Sequence, residues 1–76
     1  MRIHLAGHLA WYEPQKRAWL ELRGVGPIGL LDLLRRLGVP DAEVAVAVVN
    51  GRALELEAAT AKEGDKVEFF PPIGGG

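Results

Sequence analysis

One amphipathic helix, predicted between residues 27 and 38, constrains the fold more than any other feature of the sequence. Pro27 suits the first helical position, where its missing N–H costs nothing. Gly38 suits a left-handed C-terminal cap, and Pro40 follows shortly after it. The apolar positions form one broad stripe, made of Ile28, Leu30, Leu31, Leu33, Leu34 and Leu37. This stripe must be buried, and a sheet is the only other surface that so short a chain can offer.

The first 23 residues contain two segments with the alternation of strands. Residues 2–9 alternate between apolar and polar side chains, which predicts a half-buried strand. His4 and His8 would then share its solvent face about 13 Å apart, so two exposed histidines are favoured over a metal-binding pair. Residues 17–23 alternate in the same way and predict a second strand, paired with the first as a hairpin. Trp19 falls on its polar face, where cross-strand packing is favoured over a partner-binding role.

The segment after the helix predicts the rest of the sheet. Residues 44–49 are rich in valine and predict a central strand, followed by a hairpin turn at Asn50-Gly51. A short return segment around residues 54–56 precedes a second turn at residues 62–65. Residues 67–70 form the last strand, which two prolines stop because neither can donate a hydrogen bond.

These elements predict an α+β fold: a mixed sheet of four to five strands with one main helix packed across it. If the first and last strands are parallel neighbours, the fold is a ubiquitin-like β-grasp. We assign residues 1–70 to this domain and residues 71–76 to a flexible Gly-Gly tail.

Composition excludes several classes of function. The sequence has 76 residues, a net charge of −1, no cysteine and no serine. It therefore offers neither of the commonest side-chain nucleophiles, no thiolate metal site and no basic face for nucleic acid. No apolar run is long enough to span a membrane. We expect a cytoplasmic protein that is not catalytic alone, and scarce amides with more arginine than lysine indicate a thermophilic source.

The last six residues have a composition that suits chemistry at the chain terminus. Pro71 and Pro72 stiffen the base of the tail, and residues 74–76 are glycines that can pass through a narrow channel. The terminal carboxylate is a poor electrophile until it is activated, most simply as an acyl-adenylate made with ATP. The alternative is a frayed terminus without a function.

The stretch from Glu63 to Gly76 resembles the C-terminus of MoaD, the small subunit of molybdopterin synthase. The shared features are a Gly-Asp turn, a last strand, a Pro-Pro-aliphatic step and a terminal Gly-Gly. The segment from Val46 to Gly51 also resembles the third strand and Asn-Gly turn of that family. The wider group includes ThiS, the thiamine sulfur carrier, and shares the ubiquitin-like β-grasp fold.

The resemblance implies a sulfur carrier that binds no cofactor of its own. Gly76 would carry an adenylate and then a thiocarboxylate, while Gly74 and Gly75 would let the tail thread into a partner. The positions that match the family's partner-binding surface are Phe70, Pro71, Pro72 and Ile73. The implied role is sulfur donation in molybdenum cofactor biosynthesis.

The implied partners are a large, MoaE-like synthase subunit, an adenylating enzyme of the ubiquitin-activating type (MoeB- or ThiF-like) that uses ATP, and a sulfur donor such as a cysteine desulfurase or rhodanese. No nucleic acid or membrane partner is implied. Two departures bear on the pathway: the segment 9–16 is shorter and more aromatic than in MoaD, and the third glycine is common in ThiS-like tails. The alternatives are the same chemistry for thiamine thiazole or tRNA thiolation, a protein modifier, and a non-covalent binding module.

Overall fold

The structure is a computed structural model that describes residues 1–72. Along the chain the elements are β1 (Arg2–Leu5), β2 (Trp19–Glu21), β3 (Ile28–Gly29), α1 (Leu30–Leu37), β4 (Val46–Val49), β5 (Arg52–Leu54), β6 (Thr60–Ala61) and β7 (Lys66–Phe70). Two short 3-10 helices span Gly7–Tyr12 and Asp41–Glu43. Within residues 1–72, no helix has the length and apolarity to cross a membrane.

The main sheet has five strands in the order β2-β1-β7-β4-β5, and β3 pairs separately with β6. β1 and β7, the first and last strands along the chain, are parallel neighbours, with Ile3 opposite Val67 and Leu5 opposite Phe69. The pairs β1–β2, β7–β4 and β4–β5 are antiparallel. This mixed five-stranded sheet with one main helix confirms the predicted ubiquitin-like β-grasp.

The helix α1 buries four of the six residues of the predicted stripe, leaves Leu31 half-buried, and begins later than predicted. Leu30, Leu33, Leu34 and Leu37 are buried in its contact with the sheet. Pro27 is not the first helical residue, because Ile28 and Gly29 are extended and pair with β6. The left-handed cap at Gly38 is confirmed, with a φ of 82°.

The core lies between α1 and one face of the sheet. β1, β4 and β7 contribute alternate side chains to this face, and the fully buried members from β1 and β7 are Ile3, Leu5, Val67 and Phe69. The inward assignment of Val67 and Phe69 is therefore confirmed. The opposite face of the sheet has no helix over it in the part of the chain that the structure describes. Phe70, the last residue of β7, lies on this face next to the base of the tail.

Both N-terminal strands are shorter than predicted. β1 ends at Leu5, because Gly7 takes a φ of 57° and starts a 3-10 helix. Leu9 is buried from that helix rather than from a strand, so His8 does not share the solvent face of β1 with His4. β2 covers only residues 19–21, although its hairpin pairing with β1 is as predicted.

Burial alternates within the valine-rich run 44–49, although nearly all of its side chains are apolar. β4 lies between β7 and β5, so it has strand neighbours on both sides as predicted. Ala47 and Val49 are buried, whereas Val46 is 44% exposed on the other face. The prediction of a central strand is confirmed, and Val46 leaves an apolar side chain at the surface of that strand.

Candidate functional site

The base of the tail is held by hydrogen bonds on both sides of β7. The Phe69 carbonyl accepts a hydrogen bond from the Ala6 N–H at 3.0 Å, and the Phe70 carbonyl accepts one from the Ala45 N–H at 2.8 Å. Proline has no N–H, so the ladder cannot continue through Pro71. The chain therefore leaves the sheet at a defined place, between β1 and β4.

An apolar depression lies beside this exit. Its lining residues come from β4, the residue before β4, the last residue of β7 and the two prolines after it: Ala45, Val46, Val48, Phe70, Pro71 and Pro72. Val46 lies directly opposite Phe70 in the β4–β7 register. Phe70 and Pro71 are half-buried, and Pro72 is exposed. Of the four residues predicted to bind partners, three thus line one depression, while Ile73 lies outside the described residues.

The predicted reactive and threading residues also lie outside the described range. Gly74, Gly75 and Gly76 follow Pro72, which lines the depression, with one residue, Ile73, between them in the sequence. Their roles therefore remain predictions.

Three aromatic rings extend the surface from Phe70 towards β2. The His4 imidazole stacks on the Trp19 indole, with 4.2 Å between ring centroids, and meets Phe70 edge-on at 6.1 Å. Two cations approach the same indole: the Arg2 guanidinium at 4.5 Å and the Lys66 ammonium at 5.8 Å from its centroid. The cross-strand packing predicted for Trp19 is confirmed, and the indole remains 42% exposed.

His4 is not the exposed histidine that the alternation predicted. Its side chain is only 22% exposed, because Trp19 covers one ring face and Phe70 approaches its edge. Its Nδ1 atom is buried without a hydrogen bond, 3.5 Å from the Glu68 carboxylate. The prediction holds for His8, whose side chain is 50% exposed.

Sequence reasoning missed one buried carboxylate, Glu13, which is 1% exposed. Its carboxylate accepts hydrogen bonds from the Arg17 guanidinium and from the backbone N–H of Gln15. Burial raises the pKa of the Glu13 carboxyl, but these hydrogen bonds and the Arg17 charge outweigh burial and hold that pKa below its ordinary value. The sequence signal for this ion pair was a carboxylate and a guanidinium four residues apart, at Glu13 and Arg17, in a turn that contains Pro14.

The surface at the end of β7 has the composition of a binding surface. Among residues 1–72, no three His, Asp or Glu side chains form a group that could hold a metal ion. The residues around the tail base are apolar or aromatic, which is the composition of an interface anchor. Such a surface can dock an apolar surface of a partner beside Pro71 and Pro72.

Comparison with known proteins supports this interpretation. The profile of the ThiS family matches residues 13–76. Among solved structures, the chain is similar to the crystal structure of the thiamine biosynthesis protein (ThiS) from Geobacter metallireducens. The two share 30% sequence identity, the match covers 100% of each chain, and the TM-score is 0.60. No curated protein matches the chain.

Proposed function

The chain belongs to the ThiS family of ubiquitin-like sulfur carriers, and we propose that Gly76 carries the sulfur as a thiocarboxylate. The observation that carries this proposal is the family match itself, which runs through the last glycine at residue 76. The exit of the chain beside an apolar depression supports it, because a docked partner would have the tail within reach. Residues 71–76 span at most about 20 Å when extended.

The proposed chemistry has two steps at one carboxylate. A partner enzyme joins the Gly76 carboxylate to the α-phosphorus of ATP, which forms an acyl-adenylate and releases pyrophosphate. Hydrosulfide then attacks the acyl carbon, the C–O bond to phosphate breaks, and AMP leaves. The product is the thiocarboxylate, and neither step is a net oxidation or reduction. The carrier contributes the acyl group, and the partner supplies the catalytic residues.

We propose thiamine thiazole synthesis as the first candidate for the pathway that receives the sulfur. The structural relative at 30% identity is described as a thiamine biosynthesis protein, which favours this branch. The molybdopterin branch, preferred on the sequence, is not confirmed by the comparisons. It remains the second candidate because the Phe69-Phe70-Pro71-Pro72 ending resembles MoaD and three of these residues line or border the depression.

The adenylating partner is proposed to bind the depression formed by Val46, Phe70 and Pro71. These side chains come from adjacent strands and present a continuous apolar surface at the root of the tail. Apolar and aromatic contacts of this kind carry most of the binding energy in protein interfaces. Threading of Gly74 and Gly75 into the partner would follow from docking at this place.

The intact mass of the protein tests the carrier chemistry. We expect incubation with ATP, sulfide and the adenylating enzyme of the source organism to add the mass difference of sulfur replacing one oxygen. A variant that lacks Gly75 and Gly76, and so has no terminal Gly-Gly, serves as the matched control and is expected to stay unchanged. An unchanged wild-type mass, with an enzyme preparation that activates another carrier, would contradict the proposal.

Sulfur transfer from the loaded carrier then separates the two pathways. The thiocarboxylate form is supplied in parallel to a thiazole synthase with its substrates and to a large molybdopterin synthase subunit with its precursor. We expect thiazole formation with the first and no dithiolene product with the second. The reverse outcome would assign the chain to molybdopterin synthesis and leave the carrier chemistry intact.

A further inference from the structure

The place where the tail leaves the sheet is next to a glycine that the proposed chemistry does not use. Leu5 lies opposite Phe69 in the parallel β1–β7 pairing, and two residues further on Gly7 lies beside Pro71. A Cβ atom built on Gly7 would lie 3.1 Å from Cγ and 3.7 Å from Cδ of the Pro71 ring. The first distance is shorter than an ordinary carbon–carbon contact of about 3.5–4.0 Å. A Cβ at position 7 would therefore require the Pro71 ring to shift by a few tenths of an ångström.

The chain before Pro71 has little freedom to yield to such a side chain. Phe69 is tied to Ala6, and Phe70 is tied to Ala45, by the backbone hydrogen bonds described above. The proline ring locks its own φ near −65°. A displacement of the ring therefore changes the direction in which the next residues leave, rather than being absorbed by the strand.

We propose that Gly7 is a positioning residue for the tail, because its missing side chain seats Pro71 and so sets the direction in which the chain continues from Pro71 to Pro72. The inference rests on the proposed function, since the tail direction matters only if Gly76 must reach a partner's active site. Gly7 does not itself line the apolar depression, and it adjoins that depression only through Pro71.

A side chain at position 7 is expected to slow adenylation without weakening docking. Pro71 also lines the apolar depression, but a ring shift of a few tenths of an ångström leaves Phe70 and Val46 in place. The KM for the carrier should therefore change less than about twofold, below the loss that marks an interface anchor. A reacting atom displaced by about 1 Å can lose up to about a hundredfold in rate, so we expect kcat to fall about tenfold. The split between kcat and KM distinguishes this role from a contact with the partner.

The matched pair of variants is Gly7→Asn and Gly24→Asn. Both glycines have positive φ, 57° and 69°, and asparagine tolerates this region better than other residues. A Cβ at Gly24 would meet no atom within 4 Å, whereas a Cβ at Gly7 would meet Pro71. ATP–pyrophosphate exchange by the adenylating enzyme measures kcat and KM. We expect the loss in kcat with Gly7→Asn and wild-type values with Gly24→Asn; equal values for the two variants would overturn the proposal.

A double variant tests whether the effect passes through the proline ring. In the Pro71→Ala background the ring carbons Cγ and Cδ are gone, so Gly7→Asn should cause little further loss. The comparison is Gly7→Asn/Pro71→Ala against Pro71→Ala alone. An equal tenfold loss in both backgrounds would place the effect elsewhere and overturn the proposal.

An NMR comparison on the isolated carrier keeps this test independent of the proposed function. Amide chemical shifts of residues 74–76 are expected to move in Gly7→Asn and to stay in place in Gly24→Asn. If wild-type carrier is not adenylated at all, the proposed function fails, while the shifts still decide whether Gly7 directs the tail. Unchanged shifts in both variants would overturn the positioning role.

Discussion

The imidazole of His4 stacks on the indole of Trp19, with an angle of 6° between the two ring planes. The two residues are direct cross-strand partners in the β1–β2 register. Phe70 closes the arrangement from β7 by an edge-on contact with His4. One row of aromatic side chains thereby joins the edge strand of the sheet to the depression at the tail.

This stacking predicts different roles for the two tryptophans. Trp19 stacks on His4 and is 42% exposed, whereas Trp11 is 69% exposed. We expect Trp19→Ala to lower the free energy of unfolding by about 0.5–1.5 kcal/mol more than Trp11→Ala does, since aromatic pairs add this much beyond burial of area. Urea unfolding followed by far-UV circular dichroism measures both. Equal losses would show that the stacked pair adds no stability.

Phe70 is expected to anchor the adenylating partner. Truncation of an interface anchor costs more than about 1 kcal/mol, so Phe70→Ala should raise the KM for the carrier by about tenfold. Leu54→Ala is the control, because Leu54 is 39% exposed but pairs with Ala47, whose side chain points to the helix face. Pyrophosphate exchange gives KM for each variant. A larger effect from Leu54→Ala would move the docking surface to the other side of the sheet.

Asp65 is expected to make stability depend on pH in the acid range. Its carboxylate accepts hydrogen bonds from the Asn50 side chain at 3.0 Å and from the Lys62 backbone N–H at 2.9 Å. The bond from Asn50, followed by that from Lys62, holds the pKa of Asp65 below its ordinary value of 3.8. The resulting stability is present above pH 3.8 and is lost as the pH falls through the lower pKa of the folded state.

Replacement of Asp65 should remove this pH dependence. Asp65→Asn is expected to be less stable than wild type at pH 7, and the difference should shrink below about pH 3.8. Urea unfolding at both ends of this range measures the difference. Asp32→Asn removes the same charge from an exposed site on α1 and controls for net charge. A stability difference that did not vary with pH would contradict the prediction.

Glu13 is expected to stabilise the segment between β1 and β2. Glu13→Gln should lower the melting temperature at pH 7, because the Arg17 guanidinium would lose its charged partner. Since the pKa of Glu13 is lowered by the fold, this contribution is present above the ordinary pKa and is lost on acidification. Glu55→Gln, at an exposed position, is the matched control. Thermal unfolding that does not distinguish the two variants would contradict a structural role for Glu13.

The sequence by itself determined the elements whose signals are local. The leucine stripe and Gly38 specified the helix and its end, and Asn50-Gly51 specified a hairpin turn, with φ values of 52° and 83°. Alternation in the last strand assigned Val67 and Phe69 to the core. These predictions succeeded because each depends on residues close together along the chain.

Only the tertiary structure decided where the local patterns stop and which side chains meet. The pairing of Ile28 and Gly29 with β6 moved the start of the helix away from Pro27. Trp19 and Phe70 enclose His4 from strands more than a dozen residues distant in sequence. Gly7 lies beside Pro71 for the same reason, because the parallel pairing of β1 with β7 brings these two distant parts of the sequence together. Periodicity reports the face of one strand, whereas such contacts depend on register between strands, which is set by the packing of the whole sheet.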